Sequence, residues 1–555
     1  MNLQIFCTNT NSYIECSGGE SLLQIYERIR NQIPFNPICA TVNNKTENLS
    51  FCLFAPKVVE FLPVESAVGN RVYIRSLCML LFAAVRNRFP MATLKIEHSI
   101  SHGYFCRLIG VETLIGPETV EELRICMLHL AGRDIPFERN EKLRRDVIDI
   151  FAEENLKDKV MLLETRRDLY AGYYTMDGTA DSYYGPLAPS TAHLKVFNLI
   201  PYQDGMLLLG PDPKNPAVAA TPVPQEKLFN AFTEYLRFNN IIGVKNVGEL
   251  NRAVEEKRTE NLINVAEALH DKKIASIADE ITRRYHAGGA RVVLIAGPSS
   301  SGKTTFTKRL AIYLLTNLLV PKMISLDDYF VDRRVTPRDE TGDYDYESLY
   351  ALDIHLFNEQ LSKLIKGEEV ELPCYNFETG TRSFKGNRIS LDDNSILLIE
   401  GIHGLNPELT AEIADEMKYK VYVSALTTLA IDNHNWVPTS DNRLLRRIIR
   451  DHKYRGTSPL ETIRRWPSVR RGEEKWIFPY QENADSMFNS SLIFELGVMK
   501  QYGEELLKTV PHDTREYTEA NRLLKFLSYF SPIPEKAIPP TSLLREFLGG
   551  SSFKY

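Results

Sequence analysis

None of the eight cysteines forms a Cys-x-x-Cys pair. That removes the usual zinc-ribbon and thioredoxin-like patterns, and eight thiols in 555 residues are too few for a disulfide scaffold. The cysteines are expected to be reduced, with Cys7, Cys39 and Cys52 buried as small hydrophobes because they sit inside apolar runs. Long hydrophobic runs are missing as well. The longest nearly uncharged one, about Leu77 to Val85, falls short of the ~20 residues that a membrane span needs. The opening MNLQIFCTNTNSYIECSG has no basic start followed by an apolar run, so no secretory leader is expected. Surplus positive charge is also absent. The net charge is −6 and the isoelectric point near 6.1, which argues against a nucleic-acid partner. These absences leave the expectation of a cytoplasmic protein, off the membrane, that acts on small molecules and leaves its oligomeric state open.

What is present fits an ordinary globular chain, with 43% hydrophobic and 25% charged residues. Single cores rarely outgrow ~250–300 residues, so several domains are expected. Residues 1–62 read as strand, turn, strand, helix and further strands, a β-grasp module. Within it Asn43-Asn44-Lys45 signals a hairpin between Cys39–Val42 and Leu49–Phe54. Residues 63–240 mix an apolar helix at Tyr73–Phe89 with short strands, an α+β domain. Residues 241–287 form a helical connector, with apolar positions such as Leu250, Leu262, Leu269 and Ile277 at roughly helical spacing. From 288 to 555, β-rich apolar runs alternate with helical segments, the mark of an α/β domain with a parallel sheet and a helical tail.

The run VVLIAGPSSSGKTTF at 292–306 places Gly297-x4-Gly302-Lys303-Thr304 between an apolar strand and a helix. Glycines let backbone N–H groups turn toward phosphates, and a helix N-terminus favours their charge. Gly297, Ser299, Ser300, Ser301, Gly302, Lys303, Thr304 and Thr305 are therefore the candidate ATP contacts. Lys303 would reach the terminal phosphates, and Thr304 would offer its hydroxyl to Mg²⁺. SILLIEG at 395–401 is a strand ending in an acid, so Glu400 is the second candidate for Mg²⁺. MISLDDYF at 323–330 ends a strand with two aspartates. Asp327 is the candidate catalytic base for an attacking hydroxyl, with Asp328 the alternative. From Arg443 to Lys475, nine arginines and two lysines face one aspartate and three glutamates, which suits a phosphate-covering lid.

SSSGKTT, DDYF, PCYNF at 373–377, LLIEGIHGL at 397–405 and RLLRRIIRDHKYRG at 443–456 occur in that order and together resemble the uridine-cytidine kinase and phosphoribulokinase family over about residues 288–490. The resemblance implies an ATP- and Mg²⁺-dependent kinase of a nucleoside, with another sugar-like acceptor as the alternative. It implies Asp327 as base, Asp345 on the ribose hydroxyls, Tyr375 and Phe377 on the base, and Arg443 and Arg446 on substrate and phosphates, with Arg446 taking part in catalysis beside Lys303. Two places depart from the pattern. Gly380 stands where a base-reading histidine is expected, and WPSVRRGEEKWIFPY at 466–480 is unlike the usual continuation.

The first 200 residues or so resemble the β-grasp and second additional domains of threonyl-tRNA synthetase, through RVYIRSLCMLLFAAVRNRFP, HGYFCRL and YYGPLAPSTAHLKVFNL. The resemblance maps four metal-ligand positions onto Arg75, Met79, Tyr183 and Leu187, none a zinc ligand of that kind, and so implies that hydrolytic editing is lost. A binding or scaffolding shell would remain. An RNA-binding nucleotide switch is a further alternative, which the acidic balance disfavours. His98 and His102 also spell His-x3-His, but in a stretch that reads as strand and turn, where the two rings do not converge.

Overall fold

The protein is described by a computed structural model covering residues 2–110, 115–340 and 342–555. At the N-terminus, a five-stranded sheet runs in the order Ser12–Ser17, Asn2–Cys7, Val58–Leu62, Cys39–Val42, Lys45–Glu47. The helix Leu22–Ile29, capped by the reciprocal Ser21/Gln24 pair, seals it with Leu22, Ile25 and Ile29. The hairpin turns at Asn43 and Asn44, both left-handed (φ 48° and 59°), so Cys39–Val42 pairs with Lys45–Glu47 and not with residues 49–54. Two asparagines at positive φ make a two-residue turn whose twist matches the strands, and this overrides the expected longer loop. Cys52 is exposed, contrary to expectation, because the short strand Cys52–Leu53 turns Leu53 inward. Strand alternation outranks the apolar run.

The helix Ala67–Arg88 then crosses the next core, and its stretch from Val72 to Val85 is buried all round. It is the one helix among the described residues long and apolar enough to cross a membrane, and 83% of its apolar window lies inside the protein. A four-stranded antiparallel sheet, in the order Asn198–Tyr202, Gly205–Leu209, Gly103–Ile109, Thr93–Ile100, packs near it, with a smaller three-stranded sheet beyond. His98 lies in that sheet with its ring 3.3 Å from the Phe232 ring, and burial pushes its imidazole down to about 3. His102 sits in the exposed turn at φ 61°, so the two rings diverge. The connector is two helices, Val247–Glu255 and Thr259–His286.

The C-terminal half is built on a five-stranded sheet in the order Val320–Ser325, Ser395–Glu400, Val292–Ala296, Lys418–Ser424, Ser486–Asn489, with every neighbouring pair parallel. The fully buried Val292–Ala296 lies at the centre, as continuous apolar strands of a parallel sheet do. The helix Lys303–Thr316 follows it. A hairpin of Val370–Asn376 and Thr381–Ile389 stands beside the sheet, and the helices Thr439–Arg455 and Pro459–Trp476 fold over one end.

The two halves are interlocked. Residues of the loop 430–437 enter the N-terminal core: Trp436 packs into it, and His434 sits against the Phe82 ring at 4.3 Å. Lys159 is almost fully buried between Asp181 at 2.8 Å and Asp432 at 2.9 Å, while His434 Nδ1 meets the other oxygen of Asp181 at 2.8 Å. Nearby, Ile96 N–H donates to the Asn433 carbonyl at 2.7 Å.

Candidate functional site

The turn between strand Val292–Ala296 and helix Lys303–Thr316 is held from behind. A Cβ at Gly297 would lie 2.0 Å from the Val423 carbonyl oxygen, so only glycine lets the loop leave the sheet there. Ser300 and Gly302 adopt left-handed backbone, at φ 59° and 84°. Three consecutive carbonyls of the loop are captured by side chains. Arg443 Nε donates to the Ser299 oxygen at 2.8 Å, an Arg446 nitrogen to the Ser300 oxygen at 3.4 Å, and Ser490 Oγ to the Ser301 oxygen at 2.5 Å. Ser301 N–H turns back to the Pro298 carbonyl at 3.2 Å, and the pinned loop runs straight into the N-terminus of the helix Lys303–Thr316, which favours an anion.

The arginines divide by role. Arg443 is buried against Glu473, whose Oε2 lies 3.1 Å from one guanidinium nitrogen and whose Oε1 bonds another. Arg446 is wholly buried against Glu495, with further bonds to Ser490. Both guanidinia are taken up by a buried carboxylate and a loop carbonyl, and so brace the loop from behind. Arg447, one position on, meets a side chain of the loop. Its NH1 donates to Ser299 Oγ at 2.8 Å while Asp451 holds its Nε at 3.2 Å. The motif contained this residue, but helix phase alone did not show which arginine takes the loop hydroxyl.

Within the loop, Lys303 Nζ donates to the Pro298 carbonyl at 3.3 Å. Thr304 Oγ1 meets Glu400 Oε1 at 3.0 Å, which joins the two residues expected to hold Mg²⁺. Burial pushes the Glu400 carboxyl up to about 7; Lys303 pulls it down, and Asp327 and Glu546 push it up. A buried carboxylate beside a hydroxyl at a strand end fits a hard cation, whose charge would offset that burial. Glu347 is likewise raised to about 7, by burial first and by Glu473 and Asp327, against Arg447 and Lys303. Its Oε2 has no hydrogen-bond partner among the described residues.

Two acids that no motif marked also sit on loop donors. Glu473 Oε1 accepts the Ser299 N–H at 3.1 Å, and Glu546, from the C-terminal helix Arg545–Leu548, accepts the Thr305 N–H at 3.2 Å and its hydroxyl at 2.7 Å. Tyr555 closes on the same Thr305 hydroxyl at 2.8 Å.

The paired aspartates differ in their surroundings. Asp328 is half-buried and accepts the Tyr375 N–H at 3.3 Å, and burial raises its carboxyl. Asp327 is exposed, its own N–H bonded to Ser325 Oγ at 3.3 Å, and its charge is felt by Glu400, Glu347 and Arg455. Tyr375 is buried and Phe377 half-exposed, their ring centroids 5.0 Å apart, and Phe330 lies 5.5 Å from Tyr375 and 6.2 Å from Tyr346. Asp345 adjoins Tyr346, its carboxyl raised by burial against the opposing backbone N–H of Glu347. Gly380 is left-handed at φ 70°, and the side chain of Arg333 fills the space a Cβ would need. The divergent segment after the lid forms the rest of helix Pro459–Trp476, where Gly472 makes room for Glu347.

Comparison with known proteins adds the following. The family profile described as "Phosphoribulokinase / Uridine kinase family" matches residues 292–492. Uridine kinases of Staphylococcus aureus strains JH9 and Newman are each 31% identical over 195 residues, which is 35% of this chain and 84% of theirs. Among solved structures, one titled a possible uridine kinase from Bacillus stearothermophilus aligns at 22% identity and a TM-score of 0.26, over 39% of this chain and all of that one. D-glycerate 3-kinase from Cryptococcus neoformans aligns at 13% identity and a TM-score of 0.22, over 46% of this chain and 87% of its own.

Proposed function

The chain belongs to the phosphoribulokinase/uridine kinase family, and from that premise we propose that its C-terminal half is an ATP-dependent nucleoside kinase acting on a ribose 5′-hydroxyl, with uridine and cytidine the foremost substrates. The observation that carries this reading is the aromatic wall of Phe330, Tyr346, Tyr375 and Phe377, tied at one end to Asp328 and at the other to the segment of Asp345. Aromatic faces take any base, and a carboxylate takes the vicinal diol.

Within that site the roles follow from position. The loop and Lys303 bind the phosphates of ATP, and Arg447 covers them from the lid. Thr304 and Glu400 would hold Mg²⁺, which when bound neutralises charge on the transferring phosphate. Asp327 accepts the proton of the attacking hydroxyl; Asp328 is already engaged by Tyr375 and fixes the wall. Arg443 and Arg446 are positioning residues. A second reading, a sugar-like acceptor, is favoured by Arg333, which occupies the space beside Gly380 where a base-reading side chain would stand. For the N-terminal half, the β-grasp and synthetase-like likeness supports a recognition shell, with 1–62, 63–240 and 241–287 as its parts.

A product assay with ATP and Mg²⁺ over ribonucleosides, 2′-deoxynucleosides and sugars tests both readings. Ribonucleosides are expected to react and 2′-deoxynucleosides far more slowly, because losing the hydroxyl leaves Asp345 partly unpaired. Equal rates on the two series remove Asp345 from the site, and activity on sugars alone moves the protein to the second reading.

A further inference from the structure

A second cavity lies between the N-terminal half and the C-terminal helix Tyr517–Leu527, and shares no lining residue with the phosphate loop. It has a volume of about 340 Å³ and is walled by the helix Ala67–Arg88, the strands Lys45–Glu47, Glu138–Leu143 and Tyr170–Met176, and the helix Tyr517–Leu527. That is the size of a small-ligand pocket. Nine cationic side chains line it against three carboxylates, those of Glu47, Glu141 and Asp168.

Part of that charge is uncompensated. Lys159, Arg71 and Arg522 are engaged by acids behind the wall, and Arg166 by Asp168 at 2.6 Å. Arg139 has only Glu47, at 3.9 Å. Among the described residues no carboxylate pairs with Arg75, Arg144 or Lys525.

Arg75 is built in. It is buried, its Nε donates to the Pro186 carbonyl at 3.2 Å, and its guanidinium lies 5.6 Å from the Tyr184 ring centroid. A Cβ on Gly185 would sit 2.5 Å from the guanidinium carbon, so a glycine is what lets this arginine lie there. Its charged neighbours include Arg71 and Arg522, which oppose its charge. Holding a guanidinium by Nε alone, among cations, leaves the two terminal nitrogens as a fixed fork toward the cavity. Lys525, exposed on the C-terminal helix, also lines the cavity, where Arg139 and Arg75 oppose its charge and Glu47 favours it. An Arg166 nitrogen is also buried there without a partner.

A planar fork, a further point cation on the same cavity and excess positive charge define an acceptor-rich, multiply charged ligand of small size. We propose that this cavity is a binding site for a phosphate dianion, carried free or as the phosphate of a small metabolite, separate from the kinase centre.

The test uses full-length protein carrying Lys303→Ala, which removes phosphate contacts at the kinase centre, compared with Lys303→Ala plus Lys525→Ala. Lys525 makes no ion pair among the described residues and stands on the outer face, so its loss leaves the fold intact, and circular dichroism checks this. Calorimetric titrations are run with inorganic phosphate, ribose 5-phosphate, uridine 5′-monophosphate and a 5′-phosphorylated RNA oligomer. The expected result is binding of phosphate-bearing small probes that Lys525→Ala weakens at least tenfold, with Arg75→Gln as a second variant doing the same. Equal affinities for the free ion and the esters identify free phosphate as the source; tighter esters identify a metabolite. The proposal is overturned if no small phosphate probe binds, if affinity is unchanged by Lys525→Ala, or if only the RNA binds.

Discussion

The buried pair between the lid and the phosphate loop sets up a sharp experiment, replacement of Glu473 by glutamine. Glu473 is fully buried and serves four donors: two nitrogens of Arg443, the Ser299 N–H at 3.1 Å and Arg470 at 2.9 Å. Glutamine keeps the shape and one acceptor but turns an amide N–H₂ toward a guanidinium that is itself only 1% exposed. Arg443 cannot regain water there. Removing one partner of a buried pair costs about 3–5 kcal/mol. Arg470 keeps Glu474 at 3.5 Å and reaches solvent, so the lower end applies, about 3 kcal/mol, or roughly a hundredfold in an equilibrium constant. The loss should appear twice, as a lower urea midpoint followed by tryptophan fluorescence and as a higher KM for ATP, because Arg443 also holds the Ser299 carbonyl. Trp466 lies 5.4 Å from the Arg443 guanidinium and reports the change locally. Glu474→Gln is the control, since that side chain is 64% exposed and meets Arg470 only at 3.5 Å. If Glu473→Gln matches wild type in both midpoint and KM, the pair does not hold the loop.

Four further outcomes are expected. Lys303→Ala should lower kcat/KM by about 2–4 kcal/mol in initial-rate assays, through lost charge stabilisation, with the fold unchanged. Asp327→Asn should abolish turnover while ATP binding, read by titration, persists; Asp328→Asn should be milder, and the reverse order would exchange their roles. Glu347 and Glu400, both raised to about 7, favour the folded state most below their unfolded value near 4.5 and lose that contribution as pH rises through 7. Their contribution should make thermal melts fall from pH 5.5 to pH 8, and Glu347→Gln should flatten that slope. Glu546→Gln should lower KM for ATP several-fold, because the carboxylate on the Thr305 N–H and hydroxyl competes with phosphate; an unchanged KM would place Glu546 outside the nucleotide's path.

Local signals in the sequence carried the kinase half far. The strand–glycine–lysine–helix order around 292–316 placed the loop, and the acid at the end of a strand placed Glu400 beside Thr304. Phase around a helix was the weak point. Arginines at 443, 446 and 447 are equivalent by composition, and only the packing of Thr439–Arg455 against Glu473 and Glu495 decides that two take loop carbonyls from a buried ion pair and one takes the Ser299 hydroxyl. Glu473, Glu347 and Glu546 were illegible for a related reason: each acts at a site remote in sequence, and an acid in a basic or unremarkable stretch carries no spacing that betrays its partner. In the N-terminal half, Arg75 was visible only as a residue that cannot bind zinc. Its chemistry depends on Tyr184, Gly185 and Lys525, which the chain brings to it from two distant segments.

The loop 430–437 makes the protein hard to divide. Were the chain cut at residue 288, Asp432, His434 and Trp436 would lose Lys159, Asp181 and the apolar shell around Phe82 together, and each half would be left with an unmatched buried charge. The two halves would therefore melt in one cooperative step, and neither could drift in sequence at this seam without the other following. The seam begins where the strand Lys418–Ser424, the neighbour of Val292–Ala296, leaves the kinase sheet.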